Sequence, residues 1–167
     1  MSWPGSDRAT ARSPTPALAR FRSSAATLSS PAGGVLYLDS SAIVKLAVRE
    51  PETAALHAEL MRWRLCATSS ITTIEVSRAA ARAREQERNV LPPRDVAALL
   101  ASTVEMVLTD RVRQTASTLA PPELRTLDAI HVASALALGT DLAAVVTYDM
   151  RMQRAAESYR LRVLAPT

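Results

Sequence analysis

The chain has 167 residues, of which 48% are hydrophobic, and this suits a single domain with a substantial core. Its net charge of +4 is uneven: residues 1–34 carry +3 and residues 35–167 carry +1, so nucleic-acid contacts in the folded part need locally placed arginines. The lack of any run of about 18 apolar residues excludes a transmembrane helix, and one cysteine with two histidines excludes an internal disulfide and leaves no zinc pattern.

Residues 1–34 differ from the rest of the chain in composition. They hold four of the ten prolines, three of the four glycines and seven serines. Such a segment buries too little apolar surface to offset its ordering entropy, so we predict a flexible tail. A transit peptide and a misassigned start, with the true start near Val35, are the alternatives. The segment lacks the apolar core of a secretory signal, and we expect a cytoplasmic protein.

From Val35 onward, short apolar runs alternate with helical periods, which is typical of a parallel sheet flanked by helices. Strands are predicted in the first half at 35–39 and at 65–68, around a buried Cys66. Helices are predicted at 41–48 with Ser40 or Ser41 as the cap, at 53–62 after Pro51, and at 71–87 with Ser69 or Ser70 as the cap.

The second half continues the alternation. Strands are predicted at 105–108, at 143–147 and, on an edge, at 162–164. Helices are predicted from Pro92–Pro93 to 103, at 111–119 capped by Asp110, at 127–138 capped by Thr126 and stopped by Gly139, and at 150–158. We therefore predict an α/β domain over residues 35–167, with a three-layer α/β/α fold and a central, mainly parallel sheet.

Four acidic residues occupy positions that such a fold would bring together. Asp39 and Asp149 follow predicted strands, and Glu75 and Asp128 lie early in predicted helices. Ligands of an open α/β sheet bind outside the carboxyl ends of the strands, where all four can converge. Thr147 and Ser40 add hydroxyls beside them. Alone, each acid is equally compatible with a cap, a helix-dipole partner or a solvated side chain.

Converging carboxylates repel one another, and a hard divalent cation with oxygen ligands relieves that repulsion. Arginines lie near the same positions. Arg78 and Arg82 follow Glu75 at helical spacing, and Arg125 and Arg151 flank the other acidic segments. They are candidates for phosphate contacts, with a solvated charge as the alternative. Few aromatic residues are present, 4% of the chain, so base stacking is expected to contribute little.

Four segments in order resemble the acidic motifs of PIN-domain ribonucleases, especially VapC-type toxins of bacterial toxin–antitoxin pairs. They are Leu36–Ala42, Ser69–Ala79, Leu124–Ala133 and Val146–Arg151. The resemblance spans about residues 35–167 and loses no acidic position, whereas the tail has no counterpart. It implies a PIN-like fold.

By this resemblance, Asp39, Glu75, Asp128 and Asp149 are the catalytic, metal-binding residues of an RNA-cleaving enzyme that uses Mg²⁺ or Mn²⁺. Asp39 and Asp128 are the expected direct ligands, and Thr147 is expected to assist Asp149. The family also implies a small antitoxin that inserts a cation such as arginine into the acidic crevice, and a homodimer. His131, three residues after Asp128, is expected to pack or to support the site rather than to act as a general base.

Three other functions were weighed. A PIN fold can serve as an RNA-binding or partner scaffold without turnover, but a scaffold has no need of four clustered carboxylates. An aspartyl-phosphate phosphatase also places Asp after its first strand, yet it uses a second Asp two residues later, where this chain has Ser41. A P-loop enzyme is excluded because Gly139 is the only glycine after residue 34.

Overall fold

Four buried apolar residues, Val35–Leu38, form the central strand β1 of the protein, for which a computed structural model describes residues 33–167. The predicted tail lies outside the described residues except for Gly33 and Gly34. Four further strands complete one sheet: β2 (Cys66–Ser69), β3 (Val104–Met106), β4 (Leu142–Val146) and β5 (Val163–Leu164). Their order is β3-β2-β1-β4-β5, and every pairing is parallel, so the predicted sheet is confirmed.

Seven α-helices connect these strands. They are α1 (Ser40–Ala47), α2 (Thr53–Leu60), α3 (Thr72–Glu85), α4 (Pro93–Ala101), α5 (Asp110–Thr118), α6 (Thr126–Ala137) and α7 (Met150–Ser158). Each predicted element is present, with ends that differ by two residues or fewer. Gly139 ends α6 as predicted, because its φ of 56° is a conformation that glycine adopts without strain. No helix within residues 33–167 is long and apolar enough to cross a membrane.

Several predicted helix caps are wrong. Asp39, rather than Ser40 or Ser41, caps α1: its backbone is extended and its carboxylate accepts the N–H of Ala42. Thr109, rather than Asp110, caps α5 through Val112.

The predicted caps of α3 and α6 also fail. Ser69 belongs to strand β2, and α3 follows Ile71 without a side-chain cap. Thr126 already lies inside α6, after Arg125. Neighbouring polar residues of similar capping power do not reveal which of them leaves the helical conformation.

Alternate residues of β1 enter two separate cores, as expected for a sheet covered on both faces. Leu36 and Leu38 pack with side chains of α1 to α4, including Ile43 and Leu56. Val35 and Tyr37 pack on the other face with almost fully buried side chains of α6 and α7, which are Val132, Ala135, Met152 and Ala155. The three-layer α/β/α architecture is therefore as predicted. It aligns the carboxyl ends of β1 and β4, where Asp39 and Thr147 emerge.

Candidate active site

A cavity of about 270 Å³ opens beyond the carboxyl ends of β1 and β4, and all four predicted acids line it. We call it the acidic cavity. Its lining consists of Asp39, Ser40, Ser41, Glu75, Arg125, Thr126, Leu127, Asp128, His131 and Asp149. The sequence separates these acids by more than a hundred residues, and the parallel sheet brings them together. The predicted convergence is thus observed.

Asp39 is the most deeply held of the four, with 3% of its surface exposed. Its Oδ1 accepts hydrogen bonds from the Ser41 hydroxyl at 2.7 Å and from the Ala42 N–H at 2.9 Å. Its Oδ2 accepts one from the Thr147 hydroxyl at 2.5 Å. Burial raises the pKa of Asp39, and these donors offset only part of that effect. The carboxylate is therefore fixed in orientation but short of positive charge.

The hydroxyls around Asp39 join the ends of β1 and β4. Ser41 accepts the N–H of Tyr148 at 2.8 Å, and Thr147 accepts the N–H of Asp149 at 3.1 Å. Thr147 contacts both acids, because its hydroxyl donates to the Asp39 carboxylate and accepts the backbone N–H of Asp149. Ser40 lines the cavity, but the hydroxyl bonded to Asp39 is that of Ser41. The signal missed in the sequence was an Asp-x-Ser spacing that lets the second residue bond back.

Glu75 ends a buried chain of hydrogen bonds. Its Oε2 lies 2.9 Å from Nε2 of His131, and Nδ1 of His131 lies 2.9 Å from the Tyr37 hydroxyl. Burial raises the pKa of Tyr37 far above its ordinary value, so the phenol keeps its proton. A carboxylate oxygen can only accept a hydrogen bond, so Nε2 of His131 is the donor to Glu75. His131 thus supports the site from beneath, as expected.

Asp128 presents an oxygen without a partner. Its Oδ2 is fully buried and makes no hydrogen bond within the described residues. Burial raises the pKa of Asp128, and the nearby charge of Asp149 raises it further. A buried carboxylate oxygen without a donor is costly. This atom therefore has the free coordination that a cation would use.

Asp149 faces the cavity while it caps α7. Its Oδ1 accepts the N–H groups of Arg151 at 2.7 Å and of Met152 at 3.2 Å. The same oxygen satisfies two donors of the first helical turn and fixes the carboxylate at the cavity wall. Asp149 and Asp39 are thus both caps whose side chains also line the site.

The donor set suits a hard divalent ion. Carboxylate and hydroxyl oxygens surround the cavity, and this chemistry favours Mg²⁺ or Mn²⁺. Asp128 Oδ2 is the atom that most needs such an ion. Within residues 33–167, no three His, Cys, Asp or Glu side chains already form a set that would hold a metal as they stand. The residues fit the ion in chemistry, and the metal site remains a prediction.

The four predicted arginines line three neighbouring spaces around the acids. Arg78 and Arg82 line a groove of about 670 Å³ between α1 and α3, which we call the α1–α3 groove. Arg125 lines the acidic cavity itself. Arg151 lines a third cavity, at the start of α6 and α7. All four side chains are exposed, as a phosphate contact requires.

Comparison with known proteins agrees with this geometry. Residues 36–158 match the family model of the PIN domain, a span that contains all four acids. The chain is also 43% identical over 136 residues to "Ribonuclease VapC46" of Mycobacterium tuberculosis, covering 79% of this chain and 98% of that protein.

The chain belongs to the VapC-type PIN-domain family.

Two further VapC proteins of Mycobacterium tuberculosis are similar to it. "Ribonuclease VapC35" is 40% identical over 139 residues, covering 79% of this chain and 97% of that protein. "Ribonuclease VapC47" is 35% identical over 127 residues, covering 71% and 87% respectively. The resemblance stated from the four acidic motifs is therefore confirmed at the level of the VapC family.

Proposed function

We propose that this protein is a metal-dependent endoribonuclease that hydrolyses RNA phosphodiester bonds in the cytoplasm. The observation that carries the proposal is the acidic cavity: four carboxylates converge there, and one buried oxygen, Asp128 Oδ2, has no partner among residues 33–167. A cluster of acids without matching cations calls for an external cation. The names of the VapC relatives supply the reaction and the substrate class.

Asp39 and Asp128 are the proposed direct ligands of Mg²⁺, with Mn²⁺ as the alternative; Glu75 and Asp149 complete the set. A bound ion would neutralise charge on the scissile phosphate and activate the attacking water. Water's oxygen bonds to phosphorus, the bond from phosphorus to the leaving ribose oxygen breaks, and that oxygen gains a proton.

The chain's own residues orient these groups. Ser41, Ala42 and Thr147 fix Asp39, and His131 fixes Glu75. Such fixed geometry lowers the reorganisation needed during the reaction. Arg78 and Arg82 in the α1–α3 groove, and Arg125 and Arg151 on the other side, are the proposed phosphate contacts.

The decisive experiment is cleavage of total bacterial RNA by the purified protein. Wild type is expected to cleave with Mg²⁺ and to stop when EDTA is added, whereas Asp39→Asn is expected to be inactive with Mg²⁺. Glu59→Gln, which removes an acid that lines none of the three spaces around the site, is the matched control and should still cleave. Unchanged RNA loss with Asp39→Asn would show that the site is wrongly assigned. RNA binding without cleavage by wild type would favour the scaffold alternative.

We further propose that the enzyme acts as the toxin of a toxin–antitoxin pair. The acidic cavity would accept an antitoxin segment that carries a cation such as arginine, which would mask the four acids. Expression of the chain alone is expected to arrest growth, and co-expression of a small protein encoded just upstream is expected to restore it. Normal growth in cells that contain the folded protein would contradict this role.

A homodimer is also proposed. Large apolar side chains lie exposed around the acidic cavity and on edge strand β3, including Ile74 at 63% and Val107 just after β3 at 65%. Exposed apolar patches often mark interfaces. Light scattering at micromolar concentration should give twice the monomer mass; a monomeric mass would remove the proposal.

A further inference from the structure

A cavity of about 360 Å³ lies at the start of α6 and α7, and it is lined by one arginine more than the two that were predicted to flank the acidic motifs there. Besides Arg125 and Arg151, it is lined by Arg154. Arg151 and Arg154 are three residues apart on α7, so their side chains share one face of the helix. We call this space the α6–α7 cavity. Its lining consists of Pro121, Glu123, Leu124, Arg125, Asp128, Arg151, Arg154, Ala155 and Ser158.

The three arginines of this cavity are available to a ligand. All are exposed, and none forms a salt bridge within residues 33–167. Two acids, Glu123 and Asp128, line the same space, so a net positive charge remains. By contrast, Arg88 and Arg113 elsewhere on the chain are bound to Glu50 and Asp110. The α6–α7 cavity therefore holds three arginines that no salt bridge within residues 33–167 engages, although the charge of Arg125 offsets part of the rise in the pKa of Asp128.

The backbone donors at the start of α7 are only partly available to an anion in this cavity. The first N–H groups of α7 would suit a phosphate, but the N–H groups of Arg151 and Met152 are already bonded to Asp149. The side-chain donors that the cavity offers to an anion are the guanidinium groups of its arginines. Their planar, multiple donors match phosphate oxygens well.

The α6–α7 cavity adjoins the acidic cavity, since both are lined by Arg125 and Asp128. On its other side the acidic cavity shares Ser40, Ser41, Glu75, Leu127 and Asp149 with the α1–α3 groove. The three spaces form a continuous path with arginines at both ends and acids in the middle. A polyanion is repelled by the acids, and cations on both sides would hold it across them.

We propose that Arg125, Arg151 and Arg154 form a second phosphate subsite, so that a single RNA strand crosses the acidic cavity with phosphates held on both sides of it. Arg154 is the new member, and the α1–α3 groove with Arg78 and Arg82 is the opposite subsite. This inference rests on the proposed ribonuclease function for the identity of its ligand. Binding can nevertheless be measured without cleavage.

The test is the salt dependence of binding to a short, fluorescein-labelled single-stranded RNA of mixed sequence, measured by anisotropy in EDTA. Each phosphate contact contributes about 0.7 to the slope of log K against log salt for single strands. Arg154→Gln is expected to lower the slope by about 0.7 and to weaken binding about two- to fivefold at low salt. Arg64→Gln makes the same charge change at an exposed arginine just before the amino end of β2, the opposite end of the sheet from the acidic cavity, and should alter neither value.

A double variant tests whether one strand contacts both subsites. Arg78→Gln and Arg154→Gln together should lower the slope by about 1.4, because distant contacts in one complex add. An Arg154→Gln slope equal to that of wild type or of Arg64→Gln would overturn the subsite, as would failure of the wild type to bind this RNA. Cleavage is measured in a separate experiment, with wild type and Asp39→Asn in Mg²⁺. A nuclease that lacks this subsite would cleave RNA but show no effect of Arg154→Gln on the slope, whereas a protein that only binds RNA would show that effect without cleavage.

Discussion

Two acidic clusters lie at the two ends of helix α1, and they compensate their charge differently. At the last turn, Lys45 donates to Glu50 at 2.6 Å and to Glu52 at 3.0 Å, and Arg88 also bonds Glu50. Burial alone would raise the pKa of Glu50, but these cations outweigh it and lower that pKa. The Lys45 ammonium lies 4.7 Å from the centre of the Tyr148 ring, which adds a cation–π contact.

At the first turn, the acids of the cavity that accept hydrogen bonds, Asp39, Glu75 and Asp149, receive them from hydroxyl, amide and imidazole donors instead. Within the described residues, no lysine or arginine forms a salt bridge with any of them. Burial raises the pKa values of Asp39 and Asp128 as a result. The cluster of Glu50 and Glu52 is thus neutralised by cations of the protein itself, whereas the negative charge of the acidic cavity remains available to bind a cationic ligand.

The largest expected difference between the clusters is in catalysis. Asp128→Asn should lower the rate of RNA cleavage about a hundredfold or more, because it removes a ligand for an ion that supplies several kcal/mol of transition-state stabilisation. Glu50→Gln leaves all four acids of the cavity in place, so at saturating RNA its rate per folded molecule should stay within about twofold of wild type, while its unfolding midpoint in urea should fall. Initial rates on one mapped RNA substrate decide this. Equal rates for Asp128→Asn and wild type would show that the acidic cavity has no more part in catalysis than the Glu50 cluster.

Removal of the imidazole beneath Glu75 should have the next largest effect. His131→Leu is expected to weaken Mn²⁺ binding and cleavage about 10- to 100-fold, as loss of a residue that orients a ligand typically does. His131→Gln keeps an N–H near the position of Nε2 and should recover part of both. Mn²⁺ affinity measured by calorimetry separates positioning from packing. If both variants lose thermal stability but bind Mn²⁺ with the affinity of wild type, His131 contributes to packing and does not orient Glu75.

At the other end of α1, Lys45→Met should cost about 1–2 kcal/mol of unfolding free energy. Lys45 is 15% exposed and its two partners are 19% and 30% exposed, so the pairs lie between buried and surface salt bridges. Urea denaturation monitored by circular dichroism gives the value. Arg62→Met, which removes an exposed partner of Glu59, is the control and should cost less. A smaller loss for Lys45→Met than for Arg62→Met would contradict this reading of the cluster.

The smallest expected effects are on thermal stability, and the contributions of Asp39 and Glu50 to stability should depend on pH in opposite directions. Folding raises the pKa of Asp39, so the free energy of unfolding falls as pH rises from the unfolded-state pKa to the folded-state pKa of this group. Without metal, Asp39→Asn should therefore be more stable than wild type near neutrality. The pKa of Glu50 is lowered, so its stabilisation is present above the unfolded pKa and is lost as pH falls through the folded one.

Glu50→Gln should therefore be less stable than wild type near neutrality, and both variants should converge on wild type in acid. Shifts of about 4 °C in Tm correspond to about 1 kcal/mol in a domain of this size. Calorimetric scans in EDTA across the acidic range measure them. Shifts of the same sign for Asp39→Asn and Glu50→Gln would show that the clusters do not differ in the way proposed.

Much of this molecule was predictable from local pattern. The apolar runs at Val35–Leu38 and Leu142–Val146 are long enough to identify buried parallel strands, and Pro93 and Gly139 mark helix ends by their backbone preferences. Helix caps were less predictable, since Asp39, Ser40 and Ser41 are all competent caps and only the course of the chain out of β1 selects Asp39.

The sequence by itself determined the order of the elements and the positions of the four acids, because strand and helix periods and the polar residues that interrupt them are local properties. Tertiary structure alone decided the partners of those acids. Thr147 bonds Asp39 across 108 residues of sequence, and His131 bonds Glu75 across 56. Such pairs depend on which strands lie side by side. For the same reason, only the folded chain shows that Glu50 meets Lys45 and Arg88, whereas Asp128 keeps a buried oxygen without a partner.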